Sequence, residues 1–438
     1  MDPAKLEALR NRIKDVQSRN DARKTGESSN ESKDTCLKDQ LGIYKITRNC
    51  DQPLFVYSIS DKRDSFHQCA GYEKNTEFGK CFYRKKIFID RIGTVAINNG
   101  QELITEIKKF DHKAEAQEIL LRKSVFLDIE TTSIESGAGN CAYIIGLGYF
   151  DEGCFVVEQY FMRDFDEEAS MIVALNENLT RFTTLFSYNG KTFDINVLKT
   201  RASINRIPLQ IDGICHIDML QIYRKIYGRK AKRLNLVNLE KELLGIERIN
   251  DIPSQLVPEV YYQYLQRGYT ELLENVFEHN AQDIASLAGL TLLLESALQS
   301  PSDFHEIAGY IYFALGESHK RKKILSEAQR FYELALEAHI EPAIYSKVCY
   351  ELARIYIRNQ DYAEASELWM KLITLYPECM KSQELKRLAI HFEHYDKDLT
   401  KAFYFAAKGS EEIKDNADFE KRVARIFKKM LKGIKVSP

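Results

Sequence analysis

The stretch FLDIETT, Phe126 to Thr132, decides how the chain is read. With Ser124 and Val125 before it, the segment is an apolar run of a strand's length that ends in acids. Asp128 and Glu130 are alternate residues, so both carboxylates leave the same face. Acids at that spacing can share a divalent cation. They are also ordinary on the exposed face of an edge strand. The apolar run before them indicates a buried strand, where unpaired carboxylates are expensive, and that favours the cation.

Working outward, residues 124–298 alternate between strands and helices. CAYIIGLGYF and CFVVEQYFM read as further strands, the first a continuous apolar run suited to a central position. EEASMIVALNENLTRF has helical periodicity, TLFSYN is a strand, and TFDINVLKTRASI, LNLVNLEKELLGI and Thr270–Leu298 are helical. Upstream, residues 36–115 hold short β-forming runs (IYKIT, PLFVYSI, KCFYRKKIFI, GTVAI), read as a small β-rich module. Residues 1–35 begin with a helical pattern at Leu6, Leu9, Ile13 and Val16, then pass into RKTGESSNESKDT, a flexible tether.

After Pro301 the strands stop. Ala328, Ala365 and Ala402 recur every 37 residues, each early in the second helix of a pair. That is close to the tetratricopeptide period, and Leu315-Gly316, Tyr332 and Ala335, then Leu352, Ala353, Tyr356 and Pro377, match its consensus positions. The expected architecture is an α/β domain at 120–300, a mixed sheet flanked by helices, followed by tetratricopeptide-like helical repeats at 301–438.

Composition limits the rest. The 438 residues carry 62 basic and 64 acidic side chains, a formal charge of −2, which argues against a protein coated in nucleic acid over its whole surface. A local basic track beside an acidic site is compatible with that total. Nine cysteines, with no CxxC pair, read as reduced thiols. No apolar stretch has the length of a membrane span, and the charged N-terminus has no signal core. A soluble cytoplasmic protein is expected.

Two further acids complete the set. In SYNGKTFD, Ser187 to Asp194, a strand ends at the turn signal Asn189-Gly190 and Asp194 begins a helix. Alone, it is a helix-start acid favoured by the macrodipole. In EHNAQDIASL, His279 and Asp283 are four apart on one helical face. Alone, they are a surface pair worth a few tenths of a kcal/mol. Asp218, in HIDML, is an additional acid with a supporting or helix-start role.

In order and spacing the set resembles the DEDD exonuclease superfamily of ribonuclease H-like folds. Within it, the chain is similar to the YprB-like proteins, which also carry C-terminal tetratricopeptide-like repeats. The likeness runs from GYEKNTEFGKC (Gly71–Cys81) through HIDML, LEKELLGIERINDIP and HNAQDIASL to the repeats. It implies that Asp128, Glu130, Asp194 and Asp283 bind two Mg²⁺ or Mn²⁺ ions and that His279 orients or deprotonates the attacking water. One departure is plain. A histidine stands at the four-residue spacing where the tyrosine-type subfamily has its tyrosine, which leaves the base assignment open.

The resemblance implies 3′–5′ hydrolysis of single-stranded DNA or RNA. An endonuclease of the same fold, or a catalytically silent scaffold working through its repeats, are the alternatives. Arg224, Lys225, Arg229, Lys230, Lys232 and Arg233, with Tyr223 and Tyr227 among them, form a basic run suited to phosphates and stacked bases, or a solvated loop. Thr131 and Thr132, and Asn189, are candidates for contact with the strand's end, with an ordinary turn role as the alternative for the threonines. The repeats' concave face can hold a partner protein, the substrate or a second copy of the chain.

Overall fold

In the computed structural model, which describes residues 71–433 except 98–99, 101, 136, 229–233, 250, 269–270, 378–381 and 413–416, the apolar run Ser124–Thr131 forms strand β5. The tail at 1–35 and the segments IYKIT and PLFVYSI lie outside the described residues. β5 belongs to a seven-stranded sheet that also contains β1 (Tyr72–Thr76), β2 (Gly79–Phe88), β6 (Ala142–Asp151), β7 (Cys154–Phe161), β8 (Thr184–Ser187) and β9 (Cys215–Asp218). The order is β1-β2-β7-β6-β5-β8-β9. β8 runs parallel to β5 and to β9, and the other pairings are antiparallel.

The two N-terminal strands therefore extend the main sheet, with Phe82 opposite Phe161 and Phe88 opposite Phe155. Among the described residues, only the short hairpin of β3 (Arg91–Ile92) and β4 (Val95–Ala96) stands apart from it. Helices α1 (Glu168–Leu179), α2 (Asp194–Asn205) and α3 (Met219–Tyr227) alternate with the last strands. The helix read over LNLVNLEKELLGI is a single turn, α4 (Leu236–Leu239), continued by a π-helical stretch at Glu240–Leu244. α5 (Val257–Arg267) leads to α6 (Glu271–Gln299), which crosses β5, β6 and β7.

The close approach of α6 depends on two glycines. A Cβ at Gly146 on β6 would lie 2.3 Å from both Asn280 Oδ1 and Ile284 Cδ1, and one at Gly148 would lie 2.4 Å from Ile284 Cγ2. Gly146 is the partner of Asp128 across the ladder, so α6 is seated on the face that carries the strand acids.

Beyond Pro301 the chain is helical throughout its described part: α7 (His305–Arg321), α8 (Leu325–Glu337), α9 (Pro342–Asn359), α10 (Tyr362–Leu375), α11 (Ser382–His394), α12 (Leu399–Glu412) and α13 (Ala417–Gly433). Ala328, Ala365 and Ala402 are fully buried where paired helices meet, and a Cβ at Gly316 would strike the Tyr332 ring at 2.5 Å. The small residues are thus packing positions. α7 shares an apolar cluster with the sheet domain, since Ile307, Ile311 and Ala314 belong to the same buried cluster as Phe126, Ile217 and Tyr223. No helix among the described residues is long and apolar enough to cross a membrane.

Candidate active site

Each acid is carried by a different local device. Asp128 and Glu130 lie on β5, next to a register irregularity at Glu130/Thr131 where the strand leaves the sheet. Asp194 opens α2 after the Asn189-Gly190 turn. Asn189 takes a left-handed φ of 67°, which asparagine tolerates. Gly190 has no room for a side chain, because a Cβ would lie 2.5 Å from Ser187 Oγ and 2.8 Å from Asp194 Oδ2. Asp218 holds this turn. Its carboxylate accepts from the backbone N–H of Asn189 (3.0 Å), Lys191 (3.2 Å) and Leu220 (3.1 Å), so it both supports the loop and caps α3. Asp283 and His279 come from the middle of α6.

The acids converge enough to repel one another. Burial pushes the Asp128 and Glu130 carboxyls well above their ordinary range, and Asp283 and Asp194 push both further. Burial, Asp218 and Asp283 raise Asp194 to about 7. Among the described residues, neither Glu130 nor Asp194 has a hydrogen-bond or ion-pair partner. Asp128 Oδ2 accepts one hydrogen bond, from Asn280 Nδ2 at 2.8 Å. Asn280 is fixed in turn, since its Oδ1 accepts from Gln159 Nε2 at 2.9 Å. A chain of neutral amides thereby orients Asp128 without neutralising it.

The opposite side of the site is held by a group of residues given no role in the sequence reading. Arg248 donates to Asp283 Oδ1 (2.5 Å), to Asp251 Oδ2 (3.2 Å) and, with two nitrogens, to the fully buried Glu240, which also accepts from Ser286. His279 Nδ1 lies 2.6 Å from Asp251 Oδ1, and Nε2 is 3.8 Å from Asp283 Oδ2. Burial opposes the charged imidazole, but the bond to Asp251 and the charge of Asp283 outweigh it, and His279 titrates above its ordinary 6.5. All three new residues, Glu240, Arg248 and Asp251, belong to the LEKELLGIERINDIP segment.

Hard oxygen donors, buried and short of counter-charge, fit divalent cations such as Mg²⁺ or Mn²⁺ in chemistry. As the side chains stand, no three His, Cys, Asp or Glu among the described residues surround a single ion position, and Asp283 has Arg248 as its cation.

The remaining candidates separate. Thr131 Oγ1 donates to Ser133 O (2.7 Å), and Thr132 Oγ1 lies between Asn140 Oδ1 (3.3 Å) and Cys141 N (3.0 Å), so both hydroxyls serve the turn. Asn189 is exposed, its Oδ1 accepting from Thr192 Oγ1 at 2.8 Å. Arg224 is exposed on α3, whereas Lys225 donates to the Phe110 carbonyl. The two tyrosines are not free to stack on bases. Tyr223 is fully buried with its hydroxyl on Leu290 O, and Tyr227 packs against Tyr310 at 4.8 Å between centroids. Their spacing in the basic run belongs to the apolar stripe of α3. Arg229, Lys230, Lys232 and Arg233 lie outside the described residues.

Asp194 leads to a pH prediction for the metal-free protein. Its pKa is about 7 when folded against an ordinary 3.8, so between these values the folded state keeps a proton that the unfolded state has released. This group's contribution to stability therefore declines as pH rises from about 4 to about 7. In thermal unfolding with chelator present, the Tm advantage of Asp194→Asn over wild type should widen across that window. A constant or narrowing difference would contradict it.

Residues 125–294 match the family model of the RNase H superfamily. The uncharacterized protein YprB of Bacillus subtilis (strain 168) is 27% identical over 348 residues, which cover 77% of this chain and 83% of that protein. Among solved structures, the family B DNA polymerase from the hyperthermophilic archaeon Pyrobaculum calidifontis is similar at 17% identity and a TM-score of 0.31, over 45% of this chain and 29% of that chain. The strands and helices at 125–294 thus form a ribonuclease H-like domain.

Proposed function

We propose that this chain is a divalent-metal-dependent nuclease that hydrolyses phosphodiester bonds of single-stranded DNA or RNA from the 3′ end. The observation that carries the reading is the mutual repulsion of Asp128, Glu130, Asp194 and Asp283, four acids from three separate elements in one ribonuclease H-like domain. Uncompensated carboxylates are costly to collect unless a cation offsets them.

Asp128, Glu130, Asp194 and Asp283 would hold two Mg²⁺ or Mn²⁺ ions. Such ions activate water, neutralise the phosphate and steady the leaving oxygen. The protein's own residues supply orientation. Gln159 and Asn280 fix Asp128, Asp218 fixes the loop before Asp194, and Asp251 holds His279 through Nδ1 so that Nε2 is directed toward Asp283. That arrangement suits His279 to accept a proton from water through Nε2, at a pH shifted upward by its acidic neighbours. The helical pairs are proposed to be tetratricopeptide-like. A silent scaffold is the second reading, and its support is the engagement of Asp283 by Arg248.

The deciding experiment offers matched DNA and RNA strands with free or blocked 3′ ends to the full chain, with chelator, Mg²⁺ or Mn²⁺. Metal-dependent loss of nucleotides from free 3′ ends alone is expected. Cleavage of end-blocked strands would assign an endonuclease, and no cleavage of any strand would leave the scaffold.

A further inference from the structure

The helical pairs contain a charged hollow that the proposed catalytic chemistry does not use. The end of α7, the start of α8 and the last turns of α9 enclose a depression of about 470 Å³ where Lys320, Lys323, Arg354 and Arg358 surround one acid, Glu351. That acid is shared, 3.2 Å from Lys320 Nζ and 3.6 Å from Arg354 Nη1, and Lys320 also pairs with Glu317 at 2.6 Å. Lys323 and Arg358 are exposed and have no anionic partner among the described residues. Arg354 and Arg358 are one turn apart on α9, so their guanidinium groups share a face. The hollow therefore holds cations in excess of its acids, an arrangement that an external anion would relieve.

It is also continuous with the ribonuclease H-like domain. α7 meets α3 through Tyr310 and Tyr227, and Lys322 pairs with Glu115 at 2.6 Å. Arg321 is near enough to Lys225 to add to the burial that lowers that ammonium's pKa. Lys225 of α3 thus lies near Arg321 at the end of α7, next in sequence to Lys320 of the hollow.

We propose that the hollow binds backbone phosphate of a nucleic-acid strand that extends from the candidate active site, making the first helical pairs a second anchor indifferent to base sequence. The identity of the ligand rests on the nuclease reading. The phosphate chemistry rests on the hollow itself. Guanidinium groups take phosphate oxygens in a bidentate manner, and a strand offers one such group per nucleotide.

Binding is measured by fluorescence anisotropy with chelator present, so that no strand is cut. Single strands of roughly 5 and roughly 30 nucleotides are compared, the short one no longer than a single-site footprint. Lys323→Glu/Arg358→Glu should lose about tenfold in affinity for the long strand and reduce its salt dependence by about 1.4, two contacts at about 0.7 each. Affinity for the short strand should be unchanged, and Lys323→Arg, which keeps the charge and adds a guanidinium, should bind the long strand at least as well as wild type does. Equal losses on both strands, an unchanged long-strand affinity, no strand binding by wild type, or poly-glutamate competing as well as the strand would each overturn the proposal. If the long-strand loss appears but no metal releases nucleotides, the hollow stands and the catalytic reading falls. Cleavage with unaltered long-strand binding sinks the hollow alone.

Discussion

Asp128→Asn is expected to lower metal-dependent cleavage by more than about 100-fold, since loss of even an outer-shell partner of a metal site costs about 10–100-fold. The substitution is nearly isosteric, and the amide oxygen can still accept from Asn280 Nδ2, so the local hydrogen bonding survives. The charge is what disappears. Because the half-buried Asp128 and the buried Glu130 and Asp194 feel one another and Asp283, removing one negative charge also relieves the others. The metal-free variant should therefore unfold at a higher temperature than wild type while being inactive. Opposite movements of stability and activity distinguish a site strained for function from a general packing defect. Thermal unfolding with chelator, beside a cleavage assay, checks both, and a variant that is less stable and still active would refute the assignment.

The second large effect concerns Arg248. Its guanidinium is the main counter-charge of Glu240, whose side chain is fully buried and, among the described residues, otherwise accepts only from Ser286. Arg248→Met keeps an apolar stem in place but leaves that carboxylate uncompensated. The expected loss of stability is about 3–5 kcal/mol, measured by urea unfolding. A second change, Glu240→Gln, removes the stranded charge and should restore most of the loss. A single variant within about 1 kcal/mol of wild type would mean that water reaches Glu240, in conflict with its burial.

Legibility in the sequence differed from element to element. β5 stands out because an apolar run ending in alternate acids has a period of its own, and Asp194 and Asp283 become candidates because each sits beside a recognisable turn or helix face. The Glu240–Arg248–Asp251 group had no such signal. It lies in a segment without regular period, and its partners His279 and Asp283 are 31 and 35 residues from Arg248. Tyr223 and Tyr227 were drawn into the basic run by adjacency, whereas helical geometry turns them inward while Arg224 remains outside. The small β-rich N-terminal part is legible from its β-forming runs, but the pairing of β1 and β2 onto the main sheet is not, because strand pairing is not written in local pattern. Their place became visible only through the β2–β7 register. Gly146 and Gly148 were in plain view within the run IIGLGYF, and alternate glycines on one strand face can mark a close crossing by another element.

The seam at which Ile307, Ile311 and Ala314 join Phe126, Ile217 and Tyr223 bears on how such a chain can evolve. A break between Gln299 and His305 would bare apolar side chains on both fragments, leaving each with an exposed apolar face. Grafting the tail onto a different head, or shuffling in a longer array, would require rebuilding both faces of the join at once. Head and tail therefore share one apolar interior, although their textures along the polypeptide look like two.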